Sequence, residues 1–83
     1  MEIFELEDNL KVVCEYKSTR TGFKHEATLF RGKYQIGFTK ITYSNRTWEK
    51  FTYESVLLQV LDLNLSKEEY YKHKEYINKK WGY

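Results

Sequence analysis

The chain of 83 residues contains no proline, one cysteine, one methionine and only four glycines. Because Cys14 is the only cysteine, no disulfide can form within the chain, and a lone cysteine is typical of reducing compartments. No apolar run is long enough for a signal peptide or a membrane span. We therefore expect a cytoplasmic protein with no membrane partner. Because proline is absent, the turns of the chain must be formed by Gly, Asn, Asp or Ser.

Residues suited to metal binding or catalysis are equally scarce. Cys14, His25 and His73 are the only soft ligands, and no two of them have the spacing of a ligand loop. Cys14 and His25 belong to the same predicted hairpin, where a thiol and an imidazole can act as nucleophile and base. The competing interpretation is a small buried thiol beside an ordinary strand histidine. With no third orienting group and no glycine-rich phosphate loop, the sequence predicts no enzyme, no cofactor and no metal site.

Aromatic residues are abundant: the chain has two Trp, eight Tyr and five Phe. Each can bury on the order of 150 to 250 Å², which allows a short chain to build a sufficient core. Eight Tyr are more than a small core can hide with every hydroxyl satisfied. Some Tyr side chains are therefore expected to be half exposed, where they suit a binding surface.

The hydrophobic pattern changes its period within residues 43–57. Apolar residues alternate before this segment, as in a sheet, and recur at helical spacing after it. Strands first and helices last predict an α+β fold: an antiparallel meander of three to four strands followed by two helices packed on one face. The whole chain is interpreted as a single compact domain, with the sheet in residues 1–51 and helices in residues 52–64 and 66–81.

Strand patterns occupy residues 1–5, 10–16, 23–29 and 34–43, and a shorter one is preferred over a helix start at residues 47–51. Gly22 is expected to take a positive φ in a turn, and Gly32-Lys33 and Asn45-Arg46 are read as further turns. The apolar phase slips near residues 37–40, which predicts a bulge or twist there. Trp48 is interpreted as a core anchor between the sheet and the first helix.

The first helix is expected to follow Thr52 as N-cap, with Phe51 and Val56 forming a hydrophobic staple. Asn64 is expected to end this helix in a left-handed conformation. Its apolar stripe consists of Tyr53, Val56, Leu57, Val60 and Leu61.

The second helix has the clearest start signal in the chain. Ser66 and Glu69 form a capping box, and Leu65 with Tyr70 completes a staple. The macrodipole and this capping box explain the carboxylates of Glu68 and Glu69 without a catalytic role. The inner face of the helix is predicted to consist of Tyr70, His73 or Lys74, Ile77 and Trp81.

Exposed aromatics on the second helix indicate a surface for protein contact. Only one helix face can pack inward, and Tyr beside Lys is typical of an interface with a protein partner or a second copy in a homodimer. The predicted protein-contact residues are Tyr71, Tyr76, Trp81 and Tyr83. The competing interpretation is that Tyr rings and Lys stems only cover neighbouring apolar surface.

Charge supports a second hypothesis, because the net charge of +2 is unevenly distributed. Residues 1–15 are acidic, whereas residues 16–50 are basic and interleaved with aromatics, a mixture that sheets use to bind single-stranded nucleic acid. The predicted nucleic-acid contacts are Arg20, Lys24, Arg31, Lys33, Lys40 and Arg46. The competing interpretation is a solvated outer face whose aromatics point inward beneath the helices.

One segment of the chain, residues 45–57, reads Asn45-Arg46-Thr47-Trp48-Glu49-Lys50-Phe51-Thr52-Tyr53-Glu54-Ser55-Val56-Leu57. It resembles a segment in small uncharacterised proteins of phages and mobile elements of low-GC Gram-positive bacteria. The bias toward Lys, Tyr, Ile, Asn and Glu is similar to that group. The resemblance carries no catalytic residues. It implies a small non-enzymatic regulatory protein that binds a host protein, and an inhibitor of a defence effector such as a CRISPR complex is one such role. Many such inhibitors are acidic mimics of nucleic acid, and this basic chain departs from that pattern.

Overall fold

A computed structural model describes residues 1–44 and 53–82. Four antiparallel strands form one sheet in the order β1-β2-β3-β4, and two helices follow and pack on it. The predicted α+β architecture is confirmed. The elements are β1 (Glu2–Glu5), β2 (Leu10–Ser18), β3 (Gly22–Arg31), β4 (Tyr34–Ser44), α1 (Tyr53–Asn64) and α2 (Lys67–Trp81). The predictions for Asn45-Arg46, residues 47–51, Trp48, Phe51, Thr52 and Tyr83 lie outside the described residues.

The core lies between the sheet and the two helices, and α1 supplies most of its helical residues. Alternation on β2 and β3 directs every second side chain toward the helices, as the period of two requires. The apolar stripe of α1 packs against these side chains, as predicted. The buried apolar residues are Phe4, Leu10, Val12, Cys14, Ala27, Leu29, Val56, Leu57, Val60, Leu61 and Ile77.

Helix α2 begins and ends where its sequence signals place it. The Ser66 hydroxyl accepts a hydrogen bond from the Glu69 N–H at 3.3 Å, which confirms the predicted N-cap. Gly82 adopts φ 74° and donates its N–H to the Asn78 carbonyl at 3.0 Å. No helix among residues 53–82 is both long and apolar enough to cross a membrane.

Two predicted turn residues behave differently from expectation. Gly22 is the first residue of β3, and its φ is not positive. Its carbonyl accepts a hydrogen bond from the Thr19 N–H at 2.7 Å. The turn is closed by that backbone bond, so it needs no left-handed glycine. Asn64 is the last residue of α1 and is not left-handed. Its side-chain amide instead donates to the Val60 carbonyl at 2.8 Å, within the last turn of the helix.

The predicted bulge exists, one residue before the expected segment. Leu29 pairs with Gly37 but Phe30 pairs with Gln35, so Ile36 is the extra residue in β4. An extra residue shifts the alternation of the strand. After the bulge, Phe38 pairs with Thr28 and lies on the face of the sheet that points away from the helices. The next residue, Thr39, is buried.

Candidate interaction surface

The helices cover one face of the sheet, and we call the opposite face the open face. One row of side chains crosses all four strands on it, because Ile3 pairs with Val13, Val13 with Thr28 and Thr28 with Phe38. We call these four residues the central row. Ile3 and Phe38 are 52% and 48% exposed, and Val13 and Thr28 are half-buried. The open face therefore has a largely apolar centre in contact with solvent.

A mixed row borders the central row on the side of the β3–β4 turn. Glu5 pairs with Lys11, Lys11 with Phe30 and Phe30 with Gln35. The Lys11 ammonium lies 5.3 Å from the centroid of the Phe30 ring. This cation–π contact holds the lysine stem over the ring while its charge stays accessible.

Charges of both signs border the central row on its other side. Glu15 pairs with Glu26, and Glu26 pairs with Lys40. Lys24 and Lys17 lie 3.0 and 3.6 Å from a Glu26 carboxylate oxygen, and Lys17 lies 3.8 Å from Glu15. The hydrogen bond from Lys24, with the nearby positive charge of Lys17, lowers the pKa of Glu26. Lysines on this side of the open face are thus partly neutralised by neighbouring carboxylates.

The predicted nucleic-acid contacts are not brought together in one patch. Lys24 and Lys40 belong to the open face, and Arg20 lies in the adjoining β2–β3 turn. Arg31 lies at the other end of β3, about 23 Å from Lys24 at roughly 3.3 Å per residue, and Lys33 lies in the β3–β4 turn that follows. Arg31 is also 3.2 Å from Glu69. Of the predicted set, Arg46 is not among the described residues.

The predicted protein-contact residues of α2 lie on different sides of that helix. Tyr71 is 59% exposed, whereas the Trp81 ring packs edge-on against Phe4 at 5.1 Å. Tyr76 is half-buried beside Trp81, with ring centroids 6.1 Å apart. Tyr71 and Tyr76 are five residues apart, hence about 140° apart around the helix. Tyr71 does not share a continuous surface with the other two, and contact through this set stays a prediction.

The Cys14 thiol is unsuited to nucleophilic chemistry. Cys14 pairs with Ala27, and His25 pairs with Tyr16 one diagonal step away, both directed into the core. Burial, reinforced by the charge of Glu2, raises the pKa of Cys14 to about 12. The reactive form of cysteine is the thiolate, which is negligible at neutral pH with such a pKa. Within residues 1–44 and 53–82, no three His, Cys, Asp or Glu side chains form a group that would hold a metal ion.

A buried histidine joins α2 to the β1–β2 turn. His73 is fully buried, and its Nε2 lies 3.8 Å from a carboxylate oxygen of Asp8, which Lys72 contacts at 2.6 Å. Asp8 and Asn9 adopt φ of 59° and 64° in that turn. Burial lowers the pKa of His73, and the Asp8 charge opposes this shift. The helical pattern leaves the inner-face position open between His73 and Lys74, and the structure buries His73. The sequence has no signal for Asp8 as its neighbour, because Asp8 is distant along the chain.

We expect stability to fall as the pH drops below about 6.5, the ordinary pKa of histidine. The pKa of His73 is lowered in the folded state, so the unfolded chain binds a proton that the folded chain resists, and stability is lost toward low pH. His25, with its pKa also lowered by burial, contributes with the same sign. The hydrogen bond from Lys72 lowers the pKa of Asp8 in the folded state. The stability that ionised Asp8 contributes is therefore lost only when the pH falls below 3.8, the ordinary pKa of its carboxyl group.

Urea denaturation between about pH 5 and 8 measures this dependence. The non-titrating variant His73→Met is expected to show a shallower loss of unfolding free energy toward pH 5 than the native chain. Equal slopes for the two proteins would contradict the role assigned to His73.

Comparison of the chain with protein-family models, with curated proteins and with solved structures finds no match in any of the three.

Proposed function

We propose that this chain is a non-enzymatic protein-binding domain that contacts its partner through the open face. One observation carries the proposal: the central row presents Ile3, Val13 and Phe38 on the side of the sheet that the helices leave uncovered. Large apolar side chains that form a continuous exposed patch mark interaction sites more often than scattered ones do.

The arrangement around the central row has the anatomy of a protein interface. Such interfaces have a charge-depleted apolar core with aromatic residues and a polar rim. Here Phe38 lies in the core row, Lys11 and Glu5 lie on one side, and Glu15 and Lys40 lie on the other. A fitting partner has an apolar strip, a carboxylate positioned for Lys11 and a cation positioned for Glu15.

The size of the open face is compatible with a specific complex. The strands β1 to β4 contain 4, 9, 10 and 11 residues. With a rise of about 3.3 Å per residue and about 4.8 Å between strands, they give a face of about 500 to 600 Å². Side-chain relief increases its accessible area toward the roughly 800 Å² per partner of standard interfaces. The face is thus large enough for a stable, modest-sized interface.

Nucleic-acid binding has weaker support from the same surface. A strand-binding groove follows the phosphates with unneutralised cations beside stacking aromatics. Phe38 is available for stacking, but the carboxylates of Glu15 and Glu26 lie beside Lys17 and Lys24 on the open face and pair with them. Those carboxylates would repel a phosphate backbone. A protein partner is therefore the better-supported proposal, and this includes a host protein of the kind that the resemblance implies.

Site-specific photo-crosslinking tests the proposed contact surface. A benzophenone-bearing phenylalanine replaces Phe38 on the open face and, as the matched control, Leu63, which is 65% exposed on α1. We expect discrete protein adducts from position 38, with purified protein or with extract of the cells that express the chain. Position 63 is expected to give none of the same mass.

Ile3→Lys in the probe chain is expected to abolish the adducts of position 38, because it places a charge in the apolar row. Adducts that survive Ile3→Lys, or that form equally from position 63, would contradict a contact through the open face. An adduct at position 38 that nuclease removes would support the basic-surface alternative instead.

A further inference from the structure

We infer that the partner is a second copy of this chain, bound open face to open face around a two-fold axis that runs along the central row. The inference rests on the proposed function, since it assigns an occupant to the same surface. The inference is based on the charges of the open face. Opposite charges meet when the two-fold axis runs across the strands, whereas like charges meet when it runs parallel to them.

A two-fold axis between two stacked sheets can run in either of two simple directions. If it ran parallel to the strands between β2 and β3, each residue of β2 would face the β3 residue with which it pairs. Glu15 would then lie over the second copy's Glu26, and Lys17 over the second copy's Lys24. Each like-charge contact would occur twice by symmetry, so charge repulsion disfavours this direction.

The axis across the strands has the opposite consequence. Each residue of the central row then meets its own counterpart, so that Phe38 and Val13 pack on the second copy's Phe38 and Val13. The row containing Lys11 lies over the second copy's row containing Glu15, because the two rows flank the central row symmetrically. Two identical Lys11–Glu15 contacts form, one on each side of the axis.

The contacts of the single chain leave both groups available for this pairing. Lys11 lies over its own Phe30 ring at 5.3 Å and contacts no carboxylate within ion-pair distance among the described residues. Within residues 1–44 and 53–82, the one ion pair of Glu15 is the long 3.8 Å contact with Lys17, in which both side chains are about half exposed. Such exposed pairs contribute little, so little is lost when Glu15 pairs with Lys11 of the other copy.

The predicted assembly is a sandwich of two sheets with the helices outside. Sheets in such sandwiches pack about 10 Å apart with strand directions about 30° from alignment. Contact then centres on the middle of the open face, where the central row crosses β2 and β3. The half-buried state of Val13 in the single chain becomes full burial in the dimer.

Sedimentation analysis from micromolar to near-millimolar concentration tests the dimer. The native chain is expected to approach twice its 10.2 kDa mass as concentration rises. Phe38→Glu is expected to weaken association at least about tenfold, because it brings two carboxylates together on the axis. A native chain that stays monomeric at every concentration would overturn the inference, whereas adducts with another protein at position 38 would still support the proposed function.

Charge exchange tests the direction of the axis. Lys11→Glu and Glu15→Lys are each expected to weaken dimerisation about tenfold, since each creates two like-charge contacts. The double variant is expected to return the dissociation constant to within a few-fold of the native value. A double variant as weak as the singles, or singles without effect, would overturn the assigned orientation.

The matched control is a second Glu–Lys pair outside the proposed interface. Glu75 and Lys79 lie 4.0 Å apart on the exposed side of α2, so exchanging them alters the same charges within one chain. Glu75→Lys and Lys79→Glu are expected to leave dimerisation unchanged. An equal loss in these controls would assign the effect to net charge and overturn the inference. Circular dichroism of every variant confirms that the fold is kept.

Discussion

Replacing Leu61 with alanine is expected to lower the free energy of unfolding by about 2 to 5 kcal/mol. Leu61 is fully buried on α1, within the cluster that joins this helix to the sheet. Truncation removes its apolar contacts and leaves a cavity that a small core fills only in part. A chain of 83 residues has a total stability of about 4 to 12 kcal/mol at 0.05 to 0.15 kcal/mol per residue. The variant therefore loses a large part of its stability.

The neighbouring Leu63 supplies the matched control for this substitution. It lies on the same helix but is 65% exposed, so Leu63→Ala changes the same atoms without opening a cavity. We expect its effect to stay within about 0.5 kcal/mol. Urea denaturation followed by circular dichroism measures both variants. Similar losses at Leu61 and Leu63 would contradict the packing of α1 on the sheet.

Replacing Gly37 with alanine is expected to cost about 1 to 3 kcal/mol, the range for inserting atoms into a packed site. A methyl group at Gly37 would overlap the side-chain amide of Asn64. That amide is held in place by its hydrogen bond to the Val60 carbonyl at 2.8 Å. The glycine is therefore required by the close approach of α1 to β4, and not by its backbone conformation.

A double-mutant cycle separates this overlap from a general effect of alanine in a strand. Asn64→Ala removes the three atoms that would lie nearest to the new methyl group, all of them in the Asn64 side chain. In that background, Gly37→Ala is expected to cost close to nothing, giving a coupling of at least about 1 kcal/mol. Equal costs of Gly37→Ala in the two backgrounds would show that α1 does not approach β4 as described.

The surroundings of Gly37 are only partly encoded in the local sequence. A glycine inside a strand pattern predicted an irregular strand, and the bulge lies beside it at Ile36. The sequence had no signal for Asn64 as the neighbour of Gly37, because the two residues meet only when α1 packs on the sheet. The same limit applies to His73 and Asp8, which are brought together by the docking of α2 on the β1–β2 turn.

The predicted surface residues of α2 and of the sheet show both what the sequence determines and what it leaves open. Exposed tyrosines on α2 were predicted from helical periodicity, and Tyr71 is indeed exposed. Their spacing of five residues already separates Tyr71 and Tyr76 by about 140° around a helix. The packing of the Trp81 ring against Phe4, in contrast, depends on the tertiary structure. The basic residues are neighbours only in the sequence, because the length of β3 separates Lys24 from Arg31.

The amino-acid sequence by itself determined the strands, the helices, their order and the capping of α2 by Ser66. These features depend on local periodicity and on hydrogen bonds between residues close in the chain. Only the tertiary structure decided that Ile3, Val13, Thr28 and Phe38 form one row on the open face. Strand register and the bulge at Ile36 set that row, and both depend on pairing between residues distant along the chain, where a one-residue shift exchanges the faces.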